Sequence, residues 1–137
     1  MNQIRYDGPV TIAVGESRRS TQWKNKEVLW SQLVERLSIP TKTPETVDEY
    51  RGFAKSKRDE IKDGGFVGGS LKGGRRKAEA IMQRRLLTLD LDDVPRNADP
   101  WDTVVLVLGC AAVLYSTHSH RPEAPRLRLV MPLSRPV

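Results

Sequence analysis

The chain of 137 residues holds one cysteine, two histidines and, beyond Lys77, no lysine at all. A lone cysteine excludes an internal disulfide framework. Cys110 lies in the apolar run VVLVLGCAAVL (104–114), so a buried core thiol in a reducing compartment is expected. That run is the longest of its kind, is interrupted by Gly109, and falls short of the ~20 residues of a membrane helix. No membrane association is expected. The opening MNQIRYDG lacks the charged-then-apolar layout of a secretion signal, which points to the cytoplasm. Aromatic residues are few at 6%, yet 38% apolar and 29% charged residues make a globular balance, not a disordered one. The length suits a single modest core.

Charge is present and unevenly placed. Residues 1–85 carry 18 lysines and arginines against 11 acids, while residues 86–137 carry 5 against 6. A basic half of this kind favours polyanions such as nucleic acid or nucleotides over neutral partners.

Periodicity and punctuation give a mixed order of elements. VTIAV (10–14) reads as a strand and SRRSTQWKNK (17–26) as a basic loop. EVLWSQLVERL (27–37) sets Val28, Leu29, Leu33, Val34 and Leu37 on one helical stripe, stopped by Pro40. Thr43-Pro44 signals a helix start, and Ser56 with Asp59 a second short helix ended by Asp-Gly-Gly. KDGGFVGGSLKGGRRK (62–77) reads as a glycine-rich surface loop. QRRLLTLDLD (83–92), AAVLYST (111–117) and RLRLVMPL (126–133) read as strands, with a helix from Asp99-Pro100 to about Leu108 between the first two. The expected fold is α+β, with helices on one face of a largely antiparallel sheet. The chain divides into a basic, helical and glycine-rich part (1–82) and a sheet part (83–137).

Five groups of residues could carry chemistry. In a strand over LLTLDLDD, alternation puts Thr88, Asp90 and Asp92 on one face. Two neighbouring carboxylates repel, and a divalent cation relieves the repulsion; Mg²⁺ or Mn²⁺ takes one or two carboxylates plus substrate phosphates. Acids that are merely solvated, or paired with Arg84 or Arg85, would explain the pattern equally well. DLDDV also fits a phosphatase nucleophile, but the lysine that chemistry needs downstream is lacking, and a glycosyltransferase metal site has no further support. YSTHSH (115–120) gathers Ser116, His118 and His120, on one face if the strand runs on, as metal ligands or phosphate contacts. Arg126 and Arg128 share a strand face, and guanidinium forks suit phosphate oxygens. Gly69 to Gly74 has P-loop spacing, but Arg75-Arg76 stand where Lys-Ser/Thr is required, so that reading is rejected. The glycine-rich turn could still cradle phosphate with Lys72, Arg75, Arg76 and Lys77 beside it. Arg18, Arg19, Lys24 and Lys26 surround Trp23, a pattern suited to single-stranded nucleic acid, although Trp23 could equally belong to the core.

Taken in order, GESRRSTQWKNKEVLW, TPETVDEY, IKDGGFVGGSLKGGRRKAEAIMQRRLLTLDLDD and YSTHSHRPEAPRLRLVMPLSRPV resemble the N-terminal part of phage- and prophage-encoded primase-polymerases. These are the virulence-associated E family proteins of the archaeo-eukaryotic primase superfamily. The resemblance implies an RRM-like catalytic sheet and metal-dependent nucleotidyl transfer on a single-stranded DNA template from nucleoside triphosphates, in a bacterial host cytosol. It implies that Asp90 and Asp92 form the metal site for Mg²⁺ or Mn²⁺, and that His118 or His120 touches the incoming phosphates, with Ser116, Arg126 and Arg128 lining the nucleotide site. It also implies a helicase domain or other replication partner. The superfamily's third acidic motif has only Glu123 as a counterpart after His118. The chain is therefore expected to be one domain or the N-terminal portion of a primase-polymerase domain. The alternative is a non-catalytic fragment that binds nucleic acid or nucleotide, or docks a partner.

Overall fold

The computed structural model describes residues 7–17, 19–61, 65–95 and 97–137. Strand β1 (Pro9–Val14) is the middle of a three-stranded sheet, order β2-β1-β3. Strands β2 (Lys24–Leu29) and β3 (Phe66–Val67) are both antiparallel to it. The segment 24–29, expected to be a loop end and the start of a helix, is thus a strand in unbroken register, from Lys24 opposite Val14 to Leu29 opposite Pro9. The helical stripe is real only from Trp30 onward. A full ladder against a buried strand outweighs the local period, as tertiary context does for short apolar stretches. Helix α1 (Trp30–Leu37) begins where Leu29 N–H donates to Gln32 Oε1 at 2.9 Å and Ser31 N–H to Asp7 Oδ1 at 2.9 Å, partnering two of the otherwise orphaned amides.

Helix α2 (Val47–Gly52) is capped by Thr46, whose hydroxyl accepts from Glu49 N–H at 3.1 Å, and not by Thr43. Helix α3 (Lys55–Ile61) follows, as the Ser56/Asp59 pattern leads one to expect. The stop expected at Asp63 and Gly64 lies outside the described residues. The glycine-rich segment is not a plain loop. It supplies β3, β4 (Gly69–Leu71) and a 3₁₀ turn (Lys72–Gly74). Strand β4 pairs antiparallel with β5 (Ile81–Arg84), so closely that a Cβ on Gly69 would collide with the Gln83 carbonyl.

The single strand expected over 83–92 is broken at Arg85. The Gly68 carbonyl accepts from both Arg85 and Leu86 N–H (2.8 and 3.0 Å), and the chain passes from β5 in one sheet to β6 (Leu86–Asp92) in another. Strand β8 (Arg126–Pro132) lies between β6 and β7 (Val113–Ser116) and is antiparallel to both. Strands β6 and β7 are therefore parallel. Their crossover is α4 (Pro100–Thr103) continued by a π-helical turn, Val104–Leu108. Asp99 caps α4, accepting from Trp101 and Asp102 N–H, and Gly109 ends the π turn at φ 57°. This is a split β-α-β unit. The architecture is α+β as expected, but one sheet is replaced by three small antiparallel ones. Asn25 ties two of them, accepting from Leu71 N–H at 2.8 Å and donating to Leu71 O at 2.9 Å.

The main core joins the two halves of the chain. Val10 and Ile12 of β1 and Trp30 and Leu33 of α1 pack with Leu86 of β6 and Val130 of β8, flanked by Val113 and Tyr115. A second cluster gathers Ala13, Trp23 and Leu71. The opposite face of the β6-β8-β7 sheet packs Leu129 and Met131 against Val104 of the π turn. Cys110, expected in the core, is exposed just after the left-handed Gly109, with Sγ 3.6 Å from Met131 Sδ. The turn that Gly109 permits carries the chain off the helix before the thiol can be buried. Among the described residues no helix is long and apolar enough to cross a membrane.

Candidate functional site

One face of the β6-β8-β7 sheet changes character along its length. Alternation places Leu86, Thr88, Asp90 and Asp92 on it, and register sets Val130 beside Thr88, Arg128 beside Asp90 and Arg126 beside Asp92. Val113 and Tyr115 of β7 complete the rows of Val130 and Arg128. The rows of Leu86 and Val130 belong to the main core, whereas the next two rows carry acids and arginines.

In the row Asp90–Arg128–Tyr115 the acid is committed to the arginine. Arg128 Nε donates to Asp90 Oδ1 at 2.6 Å and an η-nitrogen to Oδ2 at 3.3 Å, a two-point fork. The fork holds the Asp90 carboxyl below its ordinary value of 3.8 against a smaller opposing effect of burial. Reciprocally, it raises Arg128, with Tyr115 acting in the same direction. The partner of Asp90 is thus Arg128, not Arg84 or Arg85.

This row opens on a cleft of about 370 Å³ whose wall includes Thr88, Asp90 and Arg128 from the sheet, Arg84 from β5, and Arg76 and Lys77 from the end of the glycine-rich segment. The two halves that differ in charge meet here. Arg76 and Lys77 also line a second groove of about 390 Å³, with Ser20, Thr21 and Arg75. Among the described residues that line it there is no carboxylate, and three of them are basic. The wall between the two is fixed from behind: Trp23 N–H donates to Gly74 O at 2.6 Å, and Gly74 itself has φ 68° with Trp23 O where a Cβ would go.

The structure brings together only part of the expected set. Asp90, Arg128 and Arg76 share the first cleft; Arg75 lies in the second groove. Asp92 and Arg126 share the face but stand one row beyond the cleft and are exposed. Lys72 is exposed in its 3₁₀ turn and lines neither cleft, and Lys24 and Lys26 are exposed on β2. Arg19 pairs with Glu60 at 3.2 Å, and Arg18 lies outside the described residues. Trp23 is a core residue, 3% exposed, with Nε1–H donating to Ser20 O, so its ring is no stacking platform for a base. Strand β7 ends at Ser116, so Ser116, His118 and His120 do not share an extended strand face. His118 and His120 lie on the loop toward β8, where His120 Nδ1 accepts from Arg126 N–H at 3.2 Å and His118 contacts Glu45 and Tyr50. Among the described residues no group of three metal-ligating side chains occurs. Arg84 was visible only as a possible partner for the acids, and Lys77 only as a basic neighbour of the glycines. Nothing in the sequence marked Glu45 or Tyr50.

The fold and the cleft define an α+β protein in which an acid-bearing sheet forms one wall of a recess that also carries basic side chains. The chain belongs to the VapE N-terminal domain family, whose model matches residues 1–137. No curated protein and no solved structure matches it.

Proposed function

We propose that the Asp90 cleft binds a nucleoside triphosphate, and that the chain is the nucleotidyl-transfer part of a primase-polymerase acting on single-stranded DNA in the replication of a phage or other mobile element. The observation that carries this reading is the cleft itself. It unites Asp90, Thr88 and Arg128 with Arg76, Lys77 and Arg84 from the other half of the chain. Arginine forks bind phosphate oxygens at two points, and Lys77 adds a compact charge. Asp90 holds the Arg128 fork in place for that task. The second groove suits the sugar-phosphate backbone of the strand, because transfer between two polyanions needs two adjoining cationic sites, and these share Arg76 and Lys77.

Asp90 and Asp92 are two carboxylates on one face, which fits a Mg²⁺ or Mn²⁺ ion whose remaining ligands are phosphate oxygens and water. When bound there, such an ion would stabilise charge on the transferring phosphoryl group. In the transfer a strand hydroxyl loses its proton to water as its oxygen bonds to the α-phosphorus, the bond to the bridging oxygen of the β-phosphate breaks, and pyrophosphate leaves. The arginines and Lys77 offset the negative charge on that leaving group. A helicase domain or another replication protein would be the partner that uses the primer.

The test is titration of a fluorescent nucleoside triphosphate with Mn²⁺ and then with EDTA, beside Asp90→Asn/Asp92→Asn. Metal-dependent binding that is lost in the double variant is the expected result; no binding by folded wild-type chain refutes the reading. A second reading is favoured by the commitment of Asp90 to Arg128 together with the lack of a third metal-ligating side chain among the described residues. In it the chain is a non-catalytic piece that binds nucleic acid. Oligonucleotide binding in EDTA that weakens as salt rises, without metal-dependent nucleotide binding, would select this alternative.

A further inference from the structure

Strand β6 is an edge of its sheet, in the order β6-β8-β7. Which of its backbone groups face outward follows from β8. Thr117 N–H donates to Arg126 O, so Arg126, Arg128 and Val130 turn their backbone groups toward β7. By alternation Leu127, Leu129 and Met131 bond to β6, opposite Leu91, Leu89 and Leu87. Pro132, which has no N–H to give, accordingly stands opposite Leu86. The N–H and C=O groups of Leu86, Thr88, Asp90 and Asp92 therefore point away from β8. Leu86 N–H reaches Gly68 O. Beyond Leu86 no strand pairs with this edge among the described residues. Leu87 to Asp90 are exposed in succession, and Leu87 and Leu89 are each 42% exposed on the face away from the cleft.

An open row of donors and acceptors is a template for another strand. We propose that this edge binds β6 of a second copy of the chain, antiparallel and centred on Leu89. In that register Thr88 exchanges both backbone bonds with the second copy's Asp90, and Asp90 with the second copy's Thr88, four hydrogen bonds in all. Leu89 meets its own equivalent across the two-fold axis, and Leu87 meets Leu91. No acid stands directly opposite an acid. Centring on Asp90 sets two Asp90 carboxylates face to face, which is destabilising. Centring on Thr88 leaves only two backbone bonds, because Gly68 holds the Leu86 N–H. The Arg128 fork offsets the charge of Asp90, so its carboxylate can lie beside the second copy's Thr88 hydroxyl. Antiparallel pairing also sets the Leu86 end of one copy beside the Asp92 end of the other. Arg84 of the basic half borders the first, and exposed Asp92 and Asp93 occupy the second, so the ends are complementary in charge. The leucine rows of the two copies form one apolar face, flanked by both π turns with their exposed Leu106 and Val107. Both Asp90 rows lie on the opposite side of a single six-stranded sheet. This self-match of register and charge is what makes a second copy the occupant.

The experiment uses the full chain and reads its mass by sedimentation equilibrium over a range of concentrations. Wild type is expected to pass from monomer to dimer as concentration rises. Thr88→Pro removes an N–H that bonds nothing within the sheet, and with it two of the four bonds between copies. It is expected to weaken the dimer by at least about tenfold. Register is read separately by disulfide trapping with oxidised glutathione, in a Cys110→Ser chain because Cys110 is itself exposed. Leu89→Cys is expected to cross-link to its own kind, since Cα atoms of a facing non-hydrogen-bonded pair stand about 4.5 Å apart, within reach of a disulfide. Leu87→Cys alone is expected not to cross-link, but to do so when mixed with Leu91→Cys. A chain that is monomeric at every concentration overturns the proposal. So does a dimer that folded Thr88→Pro leaves intact, or one in which Leu87→Cys traps itself and Leu89→Cys does not. If Thr88→Pro fails to fold, the cysteine pattern decides alone.

Discussion

The two ends of one sheet face do opposite work. At the base, Leu86, Val130 and Val113 are pressed against Val10, Ile12, Trp30 and Leu33 and exclude water. In the row after Val130, Asp90 and Arg128 look into a polar cleft, their side chains 58% and 40% exposed. The strands are continuous and the alternation is the same; what differs is the element that covers each end. Helix α1 and strand β1 cover the first, whereas the residues after Gly74 merely border the second. The base should therefore govern stability and the far end binding, with little exchange between them.

The largest effect is expected at the base. Leu33→Ala removes a side chain that is 2% exposed and should cost about 2–5 kcal/mol, the range for buried leucine truncations. Denaturant melts would read this as a lower midpoint. A loss below about 1 kcal/mol would mean that α1 does not hold the two halves together, and the division into a structural and a binding end would fail. At the far end Arg128→Lys keeps the charge but replaces the fork with a point donor. The expected result is a nucleotide affinity lower by about tenfold, ~1.4 kcal/mol, with a melting midpoint near that of wild type. If the midpoint fell as far as in Leu33→Ala, the two ends would not be separable.

This division explains what could be read in advance. Strand alternation alone placed Asp90, Asp92 and Thr88 on one face and Arg126 and Arg128 on another strand's face, because a period of two needs no knowledge of neighbours. It could not say at which row the face turns from core to cleft, since that depends on where α1 lies. The split at Arg85 was hidden for the same reason: the carbonyl that bends the chain belongs to Gly68. Strand β2 was masked by a helical stripe that continues smoothly into α1, and only the pairing with β1 exposes it. Trp23 among basic residues looked like a stacking surface, but the surrounding charges lie on exposed edges while the ring itself fills the second core cluster. The partnership of Glu45 with His118 spans 73 positions and has no local signature.

The smallest effect concerns acid. Asp90 is held below its ordinary 3.8 chiefly by the hydrogen bond from Arg128, so the pair stabilises the fold above that pH and the contribution is lost as pH falls through the lowered value. Both partners are more than a third exposed, and water screens them, so the contribution should stay under about 1 kcal/mol. Acid titrations of stability on wild type and Asp90→Asn should run parallel above pH 5 and converge below the ordinary carboxylate range. Glu45 is lowered in the same direction and remains in both chains, so it cancels in the difference. A gap that widened toward low pH would have the wrong sign for an ionised Asp90 clasping Arg128. It would mean that the arginine fork is not what the acid does at the far end of the sheet.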